Sequence, residues 1–273
     1  MATIAKHTAT SIRPKPSVFL IDKYHCTSEW SKLQTKYKTY QFTGNRQQFL
    51  QSCQSGTCDG VAALYRTNST LETRPFNKEL IHALPPTLGG KQISNVPNVV
   101  TDATADVAMF LMLGALRQAT ITLASTRKEW KGDTPLGRDH GGKMLGILGV
   151  DAIAHRARAF GLKIIYHNRS KLPRDKAGRD TCTFSISTAL IYQPQRKTRH
   201  TISKAELEKM KDDVVIVNTA RGSLPDEAAL AEALQTGKVT SVGLDVFVNE
   251  PIIHPGLLHN NRVMILHHWD DHT

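Results

Sequence analysis

The stretch from Lys143 to Arg169, KMLGILGVDAIAHRARAFGLKIIYHNR, restricts this chain more than any other. Residues 144–148 form a short apolar run that ends at Gly149. Residues 153–160 then place Ile153, Ala157 and Phe160 at helical spacing, with His155, Arg156 and Arg158 on the other side. Gly161 stops that helix, and residues 163–167 form a second β-rich run. The pattern predicts strand, glycine turn, helix, strand. In such a unit the free N–H groups at the helix N-terminus face a crevice that binds pyrophosphate. The matching motif is G-x-G-x-x-G/A. Here Gly149-Val150-Asp151-Ala152-Ile153-Ala154 keeps the first glycine and the tolerated final alanine but puts aspartate second.

With 273 residues the chain has room for one large or two ordinary domains. Its net charge of +11 suits an anionic small ligand as well as scattered surface lysines. No basic-aromatic interleaving or known module points to nucleic acid. No apolar run approaches the ~18 residues of a membrane span. Cys26, Cys53, Cys58 and Cys182 show no paired CxxC spacing, so reduced cytosolic thiols are expected rather than zinc or a disulfide framework. The segment His267-His268-Trp269-Asp270-Asp271-His272 matches no standard metal spacing. Residues 1–16 lack acids and carry basic and hydroxyl groups, a hint of a transit peptide, but a disordered tail is the favoured reading.

Taken in order, residues 17–21 and 60–64 read as strands, and residues 30–37, 45–52 and 77–84 as helices, the last ended by Pro85-Pro86. This alternation suggests a small α/β domain ending near Pro97. Residues 101–118 form a helix, capped by Thr101-Asp102 and apolar almost all round, which is expected to pack between domains or subunits. Residues 119–142 read as a polar connection. Beyond Arg169, residues 171–182 are polar and 183–192 only loosely β-like. Residues 203–211 then predict a helix, 214–218 a strand, 226–234 a helix closed by Gly237, and 239–247 a strand. Such alternation argues for a parallel sheet covered on both faces.

Three spaced motifs and a histidine carry a resemblance. Asn218-Thr219-Ala220-Arg221-Gly222, Gly243-Leu244-Asp245-Val246-Phe247 and Asn249-Glu250-Pro251, with His268, resemble the D-isomer-specific 2-hydroxyacid dehydrogenases. The likeness is strongest to the fungal glyoxylate/hydroxypyruvate reductase-like members. It implies an α/β protein of two Rossmann-like domains, with parallel sheets and helices on both faces. The substrate domain would be residues 1–98 and the dinucleotide-binding domain residues 99–273. It also implies a homodimer formed through the long helix, and an active site between the domains.

The chemistry suits those residue types. A 2-oxo acid presents a carboxylate, which a guanidinium holds with two parallel hydrogen bonds. Arg221 matches the family's substrate-binding arginine. The ketone oxygen must gain a proton as hydride arrives, and histidine titrates in the right range. His268 matches that acid, and Glu250 the carboxylate that orients it. Gly149, Val150, Asp151, Ala152, Ile153, Asn168, Arg169, Ser170, Thr219, Ala220 and Asp245 match cofactor-binding positions. Units that prefer NAD place an acid after the second strand, roughly 20 residues past the glycine turn. Asn168-Arg169-Ser170-Lys171 stands there instead, which favours NADP over NAD.

Several departures accompany the match. Asp151 stands where backbone should approach the pyrophosphate, and two like charges about 4 Å apart cost roughly 4 kcal/mol at an effective dielectric of about 20. Only Gly89-Gly90-Lys91-Gln92 occupies the place of a strand and a glycine-rich loop, so the first domain is expected to be incomplete. The region before Lys197 is short, Trp269-Asp270-Asp271 follows His268, and the chain stops at Thr273. By descent the chain is expected to move hydride between NAD(P)H and glyoxylate or hydroxypyruvate, with poor or no turnover. The alternative is a non-catalytic, dimerising scaffold relative.

Overall fold

Val214–Asn218 is buried at every position, and its side chains divide between two cores. Val215 and Val217 enter one, while Val214 and Ile216 enter the other. A strand covered on both faces is therefore a continuous apolar run, as the sequence reads here. It belongs to a computed structural model that describes residues 15–21, 27–66, 77–88, 100–130, 134–148, 152–167, 189–192 and 202–267. The chain forms two compact units, Met1–Asn95 and Val96–Thr273.

In the first unit, β1 (Ser17–Ile21) lies between β2 (Lys38–Phe42) and β3 (Val61–Arg66), all parallel. Helices α1 (Thr27–Lys36), α2 (Arg46–Gln54) and α3 (Lys78–Ala83) alternate with them. Asn45 starts α2 with a capping box, its side chain accepting the Gln48 N–H while the Gln48 side chain accepts the Asn45 N–H. The core gathers Phe19, Ile21, Phe49, Cys53, Cys58, Val61 and Leu80. The periodicity did not reveal β2: its KTYQF alternates polar and aromatic residues, and its burial is only partial.

The second unit opens with α4 (Thr101–Leu116) and α5 (Ala119–Lys128). The N-cap of α4 is Val100, with no side-chain cap, so Thr101-Asp102 does not perform the expected capping. The apolar faces of α4 are buried against the sheet and helix α6 (Ala152–Ala159) of its own unit. The expected polar connection after it is helical over α5. No α5 residue is buried, so no apolar stripe marked the helix. Thr120 Oγ1 ties it instead to the Asn261 carbonyl at 2.6 Å.

The sheet follows with β4 (Met144–Leu148), α6 (Ala152–Ala159), β5 (Lys163–His167) and β6 (Ala189–Tyr192). Then come α7 (Lys204–Lys209), β7 (Val214–Asn218), α8 (Glu227–Gln235), β8 (Val239–Leu244), α9 (Pro255–Leu258) and β9 (Val263–Ile265). All six strands are parallel, in the order β5-β4-β6-β7-β8-β9. Helices α4 and α6 belong to the core on one face, α7, α8 and α9 to the core on the other. Gly243 permits close docking of α4 on β8, where a Cβ would sit 2.8 Å from Leu111 Cβ. Ser241 Oγ adds a buried bond to the Ala115 carbonyl at 2.7 Å. Among the described residues no single helix is long and apolar enough to cross a membrane.

Candidate active site at the carboxyl ends of the second sheet

The strand order reverses beside β4: β5 lies to one side and β6 to the other. In open parallel sheets such a reversal leaves a crevice outside the carboxyl ends, where ligands bind.

Asn218 shapes the end of β7. Its fully buried side chain accepts the Ala220 N–H at Oδ1 (3.1 Å) and donates from Nδ2 to the Arg221 carbonyl (2.9 Å). The amide thus stands in for the backbone partners that the turn lacks. Thr219 and Ala220 are buried beneath the turn, and Arg221 is exposed beyond them. Arg221 Nη1 donates to the Ala220 carbonyl at 2.6 Å. At Gly222 a Cβ would fall 1.8 Å from the carbonyl carbon and oxygen of Phe247. Only glycine lets the two backbones meet there.

The end of β8 is joined to that of β7. The Asp245 N–H donates to the Asn218 carbonyl at 3.0 Å, and Asp245 itself is buried. In the loop that follows, the Phe247 N–H donates to Glu250 Oε1 at 3.0 Å and the Val248 N–H to Glu227 Oε1 at 2.8 Å. Thr219, Ala220, Arg221, Asp245 and Glu250 therefore occupy two adjacent strand ends that touch at Gly222 and Phe247.

At β4, Ala152 and Ile153 open α6. The Ile153 side chain is fully buried in the core, so this residue can offer a ligand only backbone. Farther along α6, Arg156 Nε donates to Asp106 at 2.6 Å and Nη2 to Asp102 at 3.1 Å. The Asp106 hydrogen bond leads the contacts that hold this guanidinium above its usual pKa. The bridge fastens the cofactor-type helix to α4. Gly149, Val150, Asp151, Asn168, Arg169, Ser170 and His268 lie outside the described residues.

This end of the sheet fits a dinucleotide: a strand reversal, first-turn amides of α6, the Thr219 hydroxyl and the Asp245 carboxylate share it. Among the described residues no group of three His, Cys, Asp or Glu side chains could hold a metal ion. Asn218, Gly222 and Glu227 were not singled out as site residues from sequence. An asparagine after a strand reads as a turn and an acid at a helix start as a cap, while the backbone opposite Gly222 is distant in sequence.

Topology and strand ends together define a dinucleotide-binding α/β domain. Residues 109–269 match the family model described as "D-isomer specific 2-hydroxyacid dehydrogenase, NAD binding domain". The chain is 43% identical over 288 residues to 4-methyl-2-oxopentanoate reductase A of Aspergillus oryzae, covering 93% of this chain and 88% of that protein. Those 288 aligned positions exceed the 273 residues of the chain, so the relative has internal positions that this chain lacks. A glyoxylate reductase structure from Paecilomyes thermophila is 46% identical with a TM-score of 0.84, covering 94% of this chain and 89% of that one. An NADPH-dependent glyoxylate/hydroxypyruvate reductase from Sinorhizobium meliloti, in complex with NADP and malonate, is 25% identical with a TM-score of 0.78, covering 95% of this chain and 88% of that one. The chain belongs to the D-isomer specific 2-hydroxyacid dehydrogenase family.

Proposed function

We propose that this protein reduces a small 2-oxo acid of the glyoxylate or hydroxypyruvate class, with NADPH preferred over NADH. The observation that carries the reading is the junction of the β7 and β8 ends, which sets the Arg221 turn against the loop bearing Glu250. A bound nicotinamide supplies the hydride. Arg221 holds the substrate carboxylate through its planar fork once it turns from the Ala220 carbonyl. His268 gives the ketone oxygen its proton, and Glu250 orients that imidazole and favours its charged form. Residues 149–153, with Thr219, Ala220 and Asp245, cradle the dinucleotide, while Asn168, Arg169 and Ser170 receive the ribose end. Arg169 attracts a 2′-phosphate where a carboxylate would repel it, and NADP in the Sinorhizobium relative supports that preference.

Residues 1–98 serve as an incomplete substrate domain and residues 99–273 as the cofactor domain. The working form is a homodimer in the cytoplasm. Exposed Phe110 on the long helix α4, with Leu123, Trp130 and Leu136 on and after α5, gives a partner subunit apolar surface to cover. The free, buried thiols Cys53 and Cys58 suit a reducing compartment. A second reading, a non-catalytic dimerising relative, draws on Asp151 in the pyrophosphate turn. An NADPH fluorescence titration followed by glyoxylate turnover separates them. Micromolar binding with slow turnover, as Asp151 beside the pyrophosphate requires, and an Arg221→Lys variant whose KM for glyoxylate rises about tenfold or more, is the expected outcome. No binding, even in Asp151→Gly, favours the scaffold.

A further inference from the structure

We propose that Glu227, a residue assigned no role by the chemistry above, is a positioning residue for the loop that carries Glu250. The inference rests on the reading that Glu250 serves the proton donor. The bond from the Phe247 N–H to Glu250 is internal to the loop, so it fixes the loop's shape and not its place. The Val248 N–H is different, because its acceptor, Glu227 Oε1, stands on α8. Helix α8 is packed into the core through Leu230, Ala231, Ala233 and Leu234, so this acceptor is anchored to the sheet. The buried Phe247 side chain already seats one end of the loop in the core, and this bond adds the position of a rigid helix at the next residue, beside the Gly222 contact.

An acid in the first turn ordinarily serves its own helix. Here that work is done by Asp226, whose Oδ1 accepts the N–H groups of Ala228 and Ala229 at 3.0 and 3.1 Å. Glu227 is left to reach outward, and both it and Val248 are half-buried, which limits competition from water. Glutamine keeps an acceptor oxygen at the same reach, whereas alanine removes it. The two substitutions thus separate acceptor geometry from charge.

Amide hydrogen exchange on the full chain tests this without needing turnover. Glu227→Ala is expected to speed exchange across residues 245–250 about tenfold while α8 keeps its protection, and Glu227→Gln is expected to restore the loop. In parallel, kcat with glyoxylate should fall about tenfold in the alanine variant, with KM for NADPH unchanged, and recover in the glutamine variant. Unchanged loop exchange in Glu227→Ala overturns the proposal. So does equal loss in both variants, loss of protection throughout α8, or a faster loop with undiminished kcat. A wild-type chain that turns over no 2-oxo acid counts against the reductase reading alone, because the exchange result still decides this one.

Discussion

β7 and β2 are both five-residue parallel strands, yet different forces hold them. β7 buries every residue between two helical layers, and its neighbours on both sides are strands. β2 lies at one edge of its described sheet, with Tyr40 exposed and Lys38 Nζ 5.3 Å from the centre of that ring. Its inward contacts are few and aromatic: Phe42 meets Phe49 edge-on at 5.2 Å and Phe19 at 6.4 Å. A strand like β7 is specified by area removed from water on two faces, while β2 depends on one ladder and a few ring contacts. The same contrast runs through the whole units. Among the described residues the first rests on one small cluster, the second on two large cores either side of one sheet.

The largest expected effect lies in the smaller core. Phe49→Ala removes a fully buried ring that touches both Phe19 and Phe42. It should cost about 3–5 kcal/mol by denaturant titration, with peptides of β1 and β2 losing exchange protection first. A loss below about 1 kcal/mol would erase the contrast, since the aromatic cluster would then not be what holds β2.

Gly222→Ala comes next and probes the second unit at its junction. The new methyl cannot coexist with the Phe247 backbone, so the turn and the loop must part. Because β7 and β8 keep their own packing, the cost in stability should be about 1–3 kcal/mol. Reductase activity should fall far more than that figure alone implies. Comparing thermal unfolding with kcat/KM for glyoxylate checks the split, and equal losses in both would refute it.

The smallest effect belongs to the thiols. Burial, aided by the neighbouring Cys58, pushes the Cys53 thiol up to about 12, and burial raises Cys58 as well. In the unfolded chain these thiols ionise near 9.0, so between pH 9.0 and about 12 unfolding releases protons and stability falls as pH rises. Below that window the thiols add no pH dependence. From pH 9 to 10 the Cys53 thiol should cost the first unit about 1 kcal/mol or less, and Cys53→Ala should flatten that slope.

The sequence made the buried strands plain because β4 and β7 are apolar but for Gly146 and the final Asn218, and their ends coincide with the expected ones. It gave no sign of α5, whose ATITLASTRK has no apolar face to detect, or of β9, whose three residues are too few to show a period. At the candidate site, Arg221 and Glu250 stood out because their motifs are distinctive. The partners that fix them did not. Glu227 meets Val248 and Gly222 meets Phe247 only after the chain has crossed the sheet, and no local pattern encodes such a meeting.

Asn218 grips the turn after β7 through main-chain atoms of Ala220 and Arg221, leaving the arginine's own side chain outside the grip. The Asn218 hold on the turn consequently does not depend on which side chain projects there, and the Arg221 bond to the Ala220 carbonyl is an addition to it. Recognition at residue 221 can be rewritten, by natural drift or in the laboratory, without renegotiating the fold beneath it.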